Sequence, residues 1–500
     1  MTTTLLDRFG RPLVAEKRNG HASKSLAEVV SGRSPRLQAR YDAAQTSNAN
    51  SAYWAASDAL SADLANSLGV RKKLRERARY EVANNSYLDG IVQTLANHEI
   101  ATGPTLQMLT QNAAFNAMVE SRWADWSAAM DLPGKLATMV MSRVTDGEAF
   151  AILITNPRVD HVVQLDLRLV ECDQFTSRYF PSLGERYIDG ITTDGIGNPI
   201  SYDVLRYHPG GLGGIGFPTE FDTIAAQYVI HLFHAKRPGQ HRGVPEIAPA
   251  LNLFPGLRRF TAATLKAAET AADIALLFET DLPPGMEPDE VTPGAVEIPY
   301  GSAVQAPFGY KAKQIAAEHP NTIFQDFRKE IIGEAARCVN MPRNIATCDS
   351  SSYNFASGQL DHLPYFLSIS VSQNRTARWV LRPLFTAWFR EAVLEYKWSV
   401  PASPAPAHQW YWTGRPYSNV VDESVAIQNN LKDGTTTYPL EYARRGLDCV
   451  TEWTKQAEVL GMTLKDYQAL LVQSLSEKST APPPKPQDAM PQGEVQNAAA

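Results

Sequence analysis

Asn321–Gln359 reads NTIFQDFRKEIIGEAARCVNMPRNIATCDSSSYNFASGQ. Phe324, Phe327, Ile331 and Ala335 recur at helical spacing among Asp326, Arg328, Lys329, Glu330 and Glu334, which predicts an amphipathic helix. Pro342 stops it, because proline has no N–H to donate and its ring clashes with the preceding turn. Arg343 to Gly358 then reads as a polar loop with three consecutive serines. Helical periodicity resumes at Leu360 and runs to about Trp398, very long for one globular helix.

Outward from this core, the period changes twice. Residues 41–135 read as helical, with Phe115, Met118, Val119, Arg122, Trp123 and Trp126 near one face. From Leu136 to Phe233 the pattern shifts to strands (AFAILIT, VVQLDLRLV, ISYDVLRY, YVIHLF) with turn signals at Asp194-Gly195 and Gly197-Asn198-Pro199. From Val244 to Thr280 it returns to helix in the Ala-rich run FTAATLKAAETAADIALLF, and roughly 30 helical residues span about 45 Å. Residues 281–320 are rich in Pro and Gly and read as a small inserted module. Residues 1–40 read as a flexible polar arm, and the Pro/Gln/Ala-rich 477–500 as a disordered tail. The fold class expected is α+β, mostly helical.

Composition excludes several classes. The chain has 500 residues, 44% hydrophobic and 20% charged, as expected of a folded protein with several substructures. Its most apolar helical run, Phe260–Phe278, is broken by Lys266, Glu269 and Asp273, so no membrane span is expected, and the amino terminus shows no secretion signal. Cys172, Cys338, Cys348 and Cys449 show no paired spacing, which argues against disulfides and a cysteine zinc site. The net charge of −6 has the wrong sign for a protein that grips nucleic acid. It suits a conduit, where a basic lining making ~6–10 phosphate contacts would hold a moving duplex. Charge alone does not separate a conduit from a protein that never meets DNA.

Catalytic motifs fail on context. Gly211–Gly216 satisfies G-x-G-x-x-G, but Pro218 follows where a dinucleotide site needs a helix, so the segment reads as a loop. His231 and His234 are three apart on an expected strand and point to opposite faces, so with His241 they do not read as metal ligands. No P-loop and no G-x-S-x-G elbow occurs, so neither ATP hydrolysis nor a nucleophile among Ser350–Ser352 is expected. No catalytic residue, cofactor or metal is expected. Arg237–Gly243 reads either as a contact with a neighbour or DNA or as a solvated loop. Arg71, Lys72, Lys73, Arg75, Arg77 and Arg79 crowd one helix and read as an external partner contact or as a wet face, the first preferred. Trp379, Trp388 and Trp398, with Phe385 and Phe389, read as packing residues at interfaces rather than as base-stacking platforms.

The ordered set of segments resembles the lambda-type family of phage portal proteins. Val339-Asn340-Met341-Pro342 stands where that family has a "GVP"-like turn, with Asn340 in place of Gly. Tyr353-Asn354-Phe355-Ala356-Ser357 stands where it has "NYSS". Val229–Ala250 (VIHLFHAKRPGQHRGVPEIAPA) resembles its strand, "RPGQ-RGVP" turn and helix start. Leu74–Gln107 is like its "LR-RSR-L-RNN" helix, and Asp146–Phe150 like its "DGE-F" strand entry. Val421–Gly446 resembles its helical crown. Together these cover most of residues 40–465 in order.

The resemblance implies a portal fold: a wing over 41–243 (β-rich over 136–233), a stem helix at 244–280 and a clip at 281–320. A second stem helix follows at 321–341, a tunnel loop at 342–358, a long kinked wing helix at 359–398 and a crown at 399–476. It implies a virion protein at one capsid vertex, assembled in the host cytoplasm as a homo-oligomeric ring, a dodecamer. The ring would conduct double-stranded DNA in packaging and ejection. Its partners would be the terminase large subunit, a head–tail adaptor, the major capsid protein and scaffold, with no membrane. Arg343, Asn344, Ser350, Ser351, Ser352, Tyr353 and Asn354 would face the channel. The competing reading is a capsid-associated structural or adaptor protein that never contacts DNA.

Overall fold

The computed structural model describes residues 57–476 apart from 179–183, 185, 212–219, 273–275, 281–309, 315–320, 352 and 414–419, together with 51, 52 and 54. The expected arm, tail, most of the expected clip and the G-x-G-x-x-G run from Leu212 onward lie outside them. The chain divides into two units, one from residues up to Ala101 and Asp125–Ala405, the other from Thr102–Ala124 and Pro406 onward.

After a single helical turn at Ala62–Ala65, the first long helices of the first unit are α1 (Leu68–Asn84) and α2 (Ser86–Ile100). Asn85 separates them: its backbone is extended, and its side chain accepts from the N–H groups of Tyr87 and Leu88, satisfying two donors that α2 cannot bond itself. Leu88, Ile91, Val92 and Leu95 fall on one face of α2 and are buried. After β1 (Thr105–Met108) and α3 (Ala113–Ala129) comes α4 (Leu132–Asp146), packed on α2. This corrects the strand-rich segment expected from Leu136: the apolar run LATMVM lies in α4, with Leu136, Met139, Val140 and Val144 buried at helical spacing. A short apolar run fits either period, and the Asp131 cap on the Gly134 N–H resolves it.

Strands start at Glu148. β2 (Glu148–Thr155) is central in an antiparallel sheet with β3 (Leu165–Val170) on one side. A second antiparallel sheet follows in simple order: β4 (Tyr187–Ile188), β5 (Ile191–Thr193), β6 (Pro199–Leu205) and β7 (Phe221–Ala225). The chain then returns as β8 (Val229–Phe233) on the other side of β2, pairing Glu148 with Phe233 and Phe150 with His231. Phe150 stacks on Phe175 at 3.8 Å among Tyr202, Ile191 and Val204, joining the sheets in one small core. Each such fully buried side chain stabilises by ~1.5–3 kcal/mol.

α5 (Leu253–Ala272) leads to β9 (Leu276–Thr280), which pairs antiparallel with β10 (Tyr310–Gln314), and α6 (Asn321–Ala336) returns. Phe260 on α5 meets Phe324 and Phe327 of α6 at 5.6 and 4.7 Å. Next come α7 (Arg343–Thr347) and α8 (Phe355–Thr376), a π turn at Ala377–Leu381, and α9 (Arg382–Glu395). Tyr365 and Ile369 of α8 join the buried helical cluster with Leu88, Ile91, Leu95 and Ile332. Phe385, Trp388 and Phe389 are buried inside their own chain, whereas Trp379 is exposed. No described helix is long and apolar enough to cross a membrane.

In the second unit, β1 pairs antiparallel with β11 (His408–Tyr411), and four helices follow: α10 (Val420–Lys432), α11 (Tyr438–Arg444), α12 (Cys449–Val459) and α13 (Leu464–Ser476). Residues 102–124 therefore group with the C-terminal helices, not with the helical start into which the sequence places them. Gly446 sits at φ +74, where an added Cβ would lie 2.7 Å from the Trp412 carbonyl oxygen, so the RRG stop requires glycine.

Candidate functional site: a polar loop on buried charge joints

The loop is framed by two helix ends. After α6 a single 3-10 turn, Arg337–Val339, ends on Asn340 in the left-handed region (φ 56, ψ 20). That conformation favours glycine and next best asparagine, which accounts for Asn340 where the resembling family has Gly. Met341 is buried, and Pro342 opens α7, so the polar stretch starts with a helical turn rather than as loop. The loop proper is Cys348–Asn354. Asn354 closes it as the cap of α8, accepting from the Ser357 N–H at 2.8 Å. Asn354→Ala is expected to cost about 1 kcal/mol in thermal or urea unfolding and Asn354→Gly only a few tenths, because glycine retains cap geometry.

The seven residues anticipated for this site divide. Ser350 and Ser351 are exposed in the loop. Ser352 lies outside the described residues. Tyr353 is half-buried, its N–H donates to the Ser350 carbonyl at 3.1 Å, and the Arg343 guanidinium lies 5.6 Å from its ring. Arg343 also pairs with Glu330. Asn354 is exposed but engaged as the cap. Asn344 is buried, bonded to the His362 ring at 2.9 Å, so its side chain holds α7 on α8 rather than lining a surface. Lys329 pairs with Asp349 at 2.8 Å, and that hydrogen bond, with those from Ser351, holds the Asp349 carboxyl well below the usual range. Arg343 and Lys329 are thus tied to acids of the same chain, and the exposed residues described in the loop are Cys348, Ser350, Ser351 and Asn354.

Elsewhere in the same unit the motifs Asp146-Gly147-Glu148 and Arg242-Gly243 interlock. Glu148 is fully buried and accepts from Arg242 Nη2 at 2.7 Å, the Gly243 N–H at 2.9 Å and Arg75 Nη2, with His231 Nε2 at 3.0 Å. Burial pushes its carboxyl up, but Arg242, the His231 hydrogen bond and Arg75 outweigh that and hold it well below the ordinary range. Burial pushes the His231 imidazole the other way, down. Arg242 also donates to the carbonyls of Phe175 at 3.0 Å and Asp189 at 2.6 Å. Gly147 (φ +92) and Gly243 pass backbone to backbone: a Cβ on Gly243 would lie 2.1 Å from the Gly147 oxygen. The Arg237–Gly243 turn is therefore turned inward at Arg242, and Gln240 bonds its own turn at the N–H of Lys236 and the carbonyl of Arg242.

The basic helix is likewise corrected. Arg71, Arg75 and Arg79, at four-residue steps on α1, point into the protein. Arg71 reaches Asp189 at 2.8 Å, Arg75 reaches Glu148 and Asp173, and Arg79 reaches Asp146 at 2.6 Å and Asp173 at 2.7 Å. Burial and the neighbouring Arg242 lower Arg71 to about 10. Only Lys72, Lys73 and Arg77 of the cluster face outward. The acids lie some 70–120 positions downstream, so no local pattern announced them.

A second joint fixes α8. Arg143 forks onto Glu99 with two bonds of 2.9 Å, donates to Ser372 at 3.0 Å and reaches Glu246 at 3.1 Å. Thr376, the last residue before the π turn, donates to Glu99 at 2.9 Å. The three histidines considered as ligands each have a separate carboxylate: His231 on Glu148, His234 on Glu246 and His241 on Asp63. Glu171, Asp173 and His208 do converge, but Arg79 already supplies a cation there, at 2.7 Å from Asp173 and 3.4 Å from Glu171.

This arrangement, with rigid internal joints and a polar loop between two long helices, has the character of an assembly protein. The chain belongs to the lambda family of phage portal proteins: the model of that family matches residues 48–373. The family is structural rather than enzymatic, and its members are virion proteins of the capsid portal vertex, the head–tail connector. Comparison with curated proteins gives no match. Among solved structures, the chain is similar to a chain in the virion of a native gene transfer agent particle (13% identity, TM-score 0.42, covering 77% of this chain and 97% of that one). It is also similar to one in the neck of an empty gene transfer agent particle (12%, TM-score 0.43, covering 75% and 93%). At these scores the likenesses add no argument to the family match.

Proposed function

We propose that copies of this chain close into a dodecameric ring through which double-stranded DNA passes during packaging and ejection. Residues 281–320 form the clip on which the terminase large subunit docks, and the head–tail adaptor, major capsid protein and scaffold are the remaining partners. Wing, stem and crown follow the boundaries implied by the resemblance with two corrections: residues 102–124 join the crown, and the first stem helix, expected over 244–280, is α5 (Leu253–Ala272), because Leu276–Thr280 pairs as β9. Force comes from the terminase. The portal contributes a closed wall and a weakly interacting constriction, the loop at 348–354.

One observation carries this reading: the loop presents hydroxyls while Arg343 and Lys329 beside it are already neutralised by Glu330 and Asp349. Phosphates sliding past such a surface meet hydrogen-bond donors and no uncompensated cation, so contacts form and break without the salt-dependent grip of a basic lining. Of the seven anticipated residues, Ser350, Ser351, Ser352 and Tyr353 are proposed as channel contacts. Arg343 and Asn354 support them, and Asn344 acts only as a joint.

Replacement of Ser350–Tyr353 by Gly-Ala-Gly-Gly, with Arg343 and Asn354 kept, is expected to leave ring assembly intact. Packaged or retained DNA per particle should fall severalfold, measured by nuclease-protected DNA. Normal DNA content would remove the loop from the channel and favour a capsid-associated adaptor that never contacts DNA.

A further inference from the structure

The long helix carries a surface that no described part of its own chain covers. Leu360, Leu363, Leu367 and Val371 recur at three- and four-residue steps on α8 and are 67%, 66%, 66% and 44% exposed. The same side continues through the π turn as Arg375, Arg378, Trp379 and Arg382, all exposed. Arg378 lies 5.4 Å over the ring of Trp379, and among the described residues none of the three arginines comes within 4.0 Å of a carboxylate. An apolar stripe of this extent, bounded by charge, marks an interaction surface.

The converse surface is on α6. Asp326, Glu330 and Glu334 are exposed at four-residue steps beside Phe327, which is 42% exposed. Glu330 is engaged by Arg343, while Asp326 and Glu334 have no cation partner among the described residues. The acidic row spans about 12 Å and the basic row about 10 Å at helical rise. One chain thus holds two faces of opposite sign and matched length on different helices.

We propose that Arg375, Arg378 and Arg382 of one copy dock on the Asp326–Glu334 face of a second copy, and that the same contact covers the leucine stripe of α8. Joining two different faces gives a head-to-tail contact, the kind that rotation closes into a ring. The inference rests on the ring reading above and adds which surfaces meet. Charge sets the register and excludes wrong partners, and the leucines and Trp379 supply the buried area.

The test uses the full-length chain, with assembly followed by mass photometry and negative-stain imaging. Arg375→Glu with Arg378→Glu is expected to lower the assembled fraction at least tenfold while leaving thermal unfolding of the chain unchanged. Adding Asp326→Lys with Glu334→Lys should restore rings. If the double variant forms rings as completely as the unchanged chain, the contact lies elsewhere although the ring stands. If rings are lost and the charge swap does not restore them, the pairing with α6 is overturned. If the unchanged chain forms no rings even with scaffold and capsid protein, the ring reading falls and this inference with it. Should the charge variants misfold, Asp326→Cys with Arg378→Cys gives an independent readout: a ladder of disulfide-linked multimers, absent from either single variant, supports the contact, and no ladder overturns it.

Discussion

Glu148→Ala is expected to destabilise the first unit by about 3–5 kcal/mol, because it strands two buried guanidinium groups rather than merely deleting a contact. Arg75 and Arg242 both point at this carboxylate, and Arg242 is almost wholly inaccessible to water. The Gly243 N–H would lose its acceptor as well, freeing the turn that closes on Gly147. Urea or thermal unfolding of the full-length chain provides the measurement. A loss below about 1 kcal/mol would mean that water reaches the site and that the joint is not a closed one. Because the Glu148 carboxyl is held below its ordinary range in the folded protein, its contribution is present above that range and is lost as the pH falls beneath it.

Arg143→Met is expected to cost a similar amount, about 3–5 kcal/mol at neutral pH, by leaving Glu99 and Glu246 buried without their cation. Its signature is in acid. Burial alone would raise the Glu246 carboxyl, but Arg143, followed by His234, lowers it from the ordinary 4.5 to about 2. The stabilisation from that group is therefore complete above about pH 4.5 and drains away as the pH falls towards 2. Removing Arg143 removes the largest lowering influence, so the acid-unfolding midpoint should move to higher pH, read by circular dichroism across a pH series. An unchanged midpoint would show that Glu246 takes its charge stabilisation from elsewhere. Methionine matches much of the arginine's volume, and a packing loss would lower stability equally at every pH, whereas loss of the charge partner costs most above about pH 4.5 and fades towards pH 2.

The helical frame was legible because the period is written locally. Pro342 and the resumption of periodicity after the serines each correspond to an element boundary that neighbouring residues determine, whereas the helix read through to Thr280 ends at Ala272 and its last apolar residues pair as β9 with a distant strand. What escaped was non-local. The strand Thr105–Met108 pairs with His408–Tyr411 some 300 residues on, and nothing in TLQM or HQWY specifies the other. The arginines of α1 looked like a surface because their acids sit on distant strands and turns. Spacing did contain a clue, since Arg71, Arg75 and Arg79 recur every fourth residue while Lys72, Lys73 and Arg77 fall on the other side.

In the loop the sequence identified the polar stretch but not the division of labour within it. Asn344 reads like any polar loop residue until the fold places His362 beside it. Arg343 reads like a phosphate contact until Glu330 and Tyr353 are seen to hold it. Glu148 and Arg242 sat in motifs matched by resemblance, and only the folded chain shows why those glycines, that acid and that arginine belong together: each motif completes the hydrogen bonds of the other.

Cryo-electron microscopy of the purified full-length chain tests the central claim most directly. The account predicts closed rings with an axial hole wide enough for a duplex, a mass near a dozen copies of 55.0 kDa, and Ser350 and Ser351 at the narrowest point of the hole. Particles that stay monomeric or dimeric even beside scaffold and capsid protein would contradict it, as would rings with residues 348–354 on the outer wall.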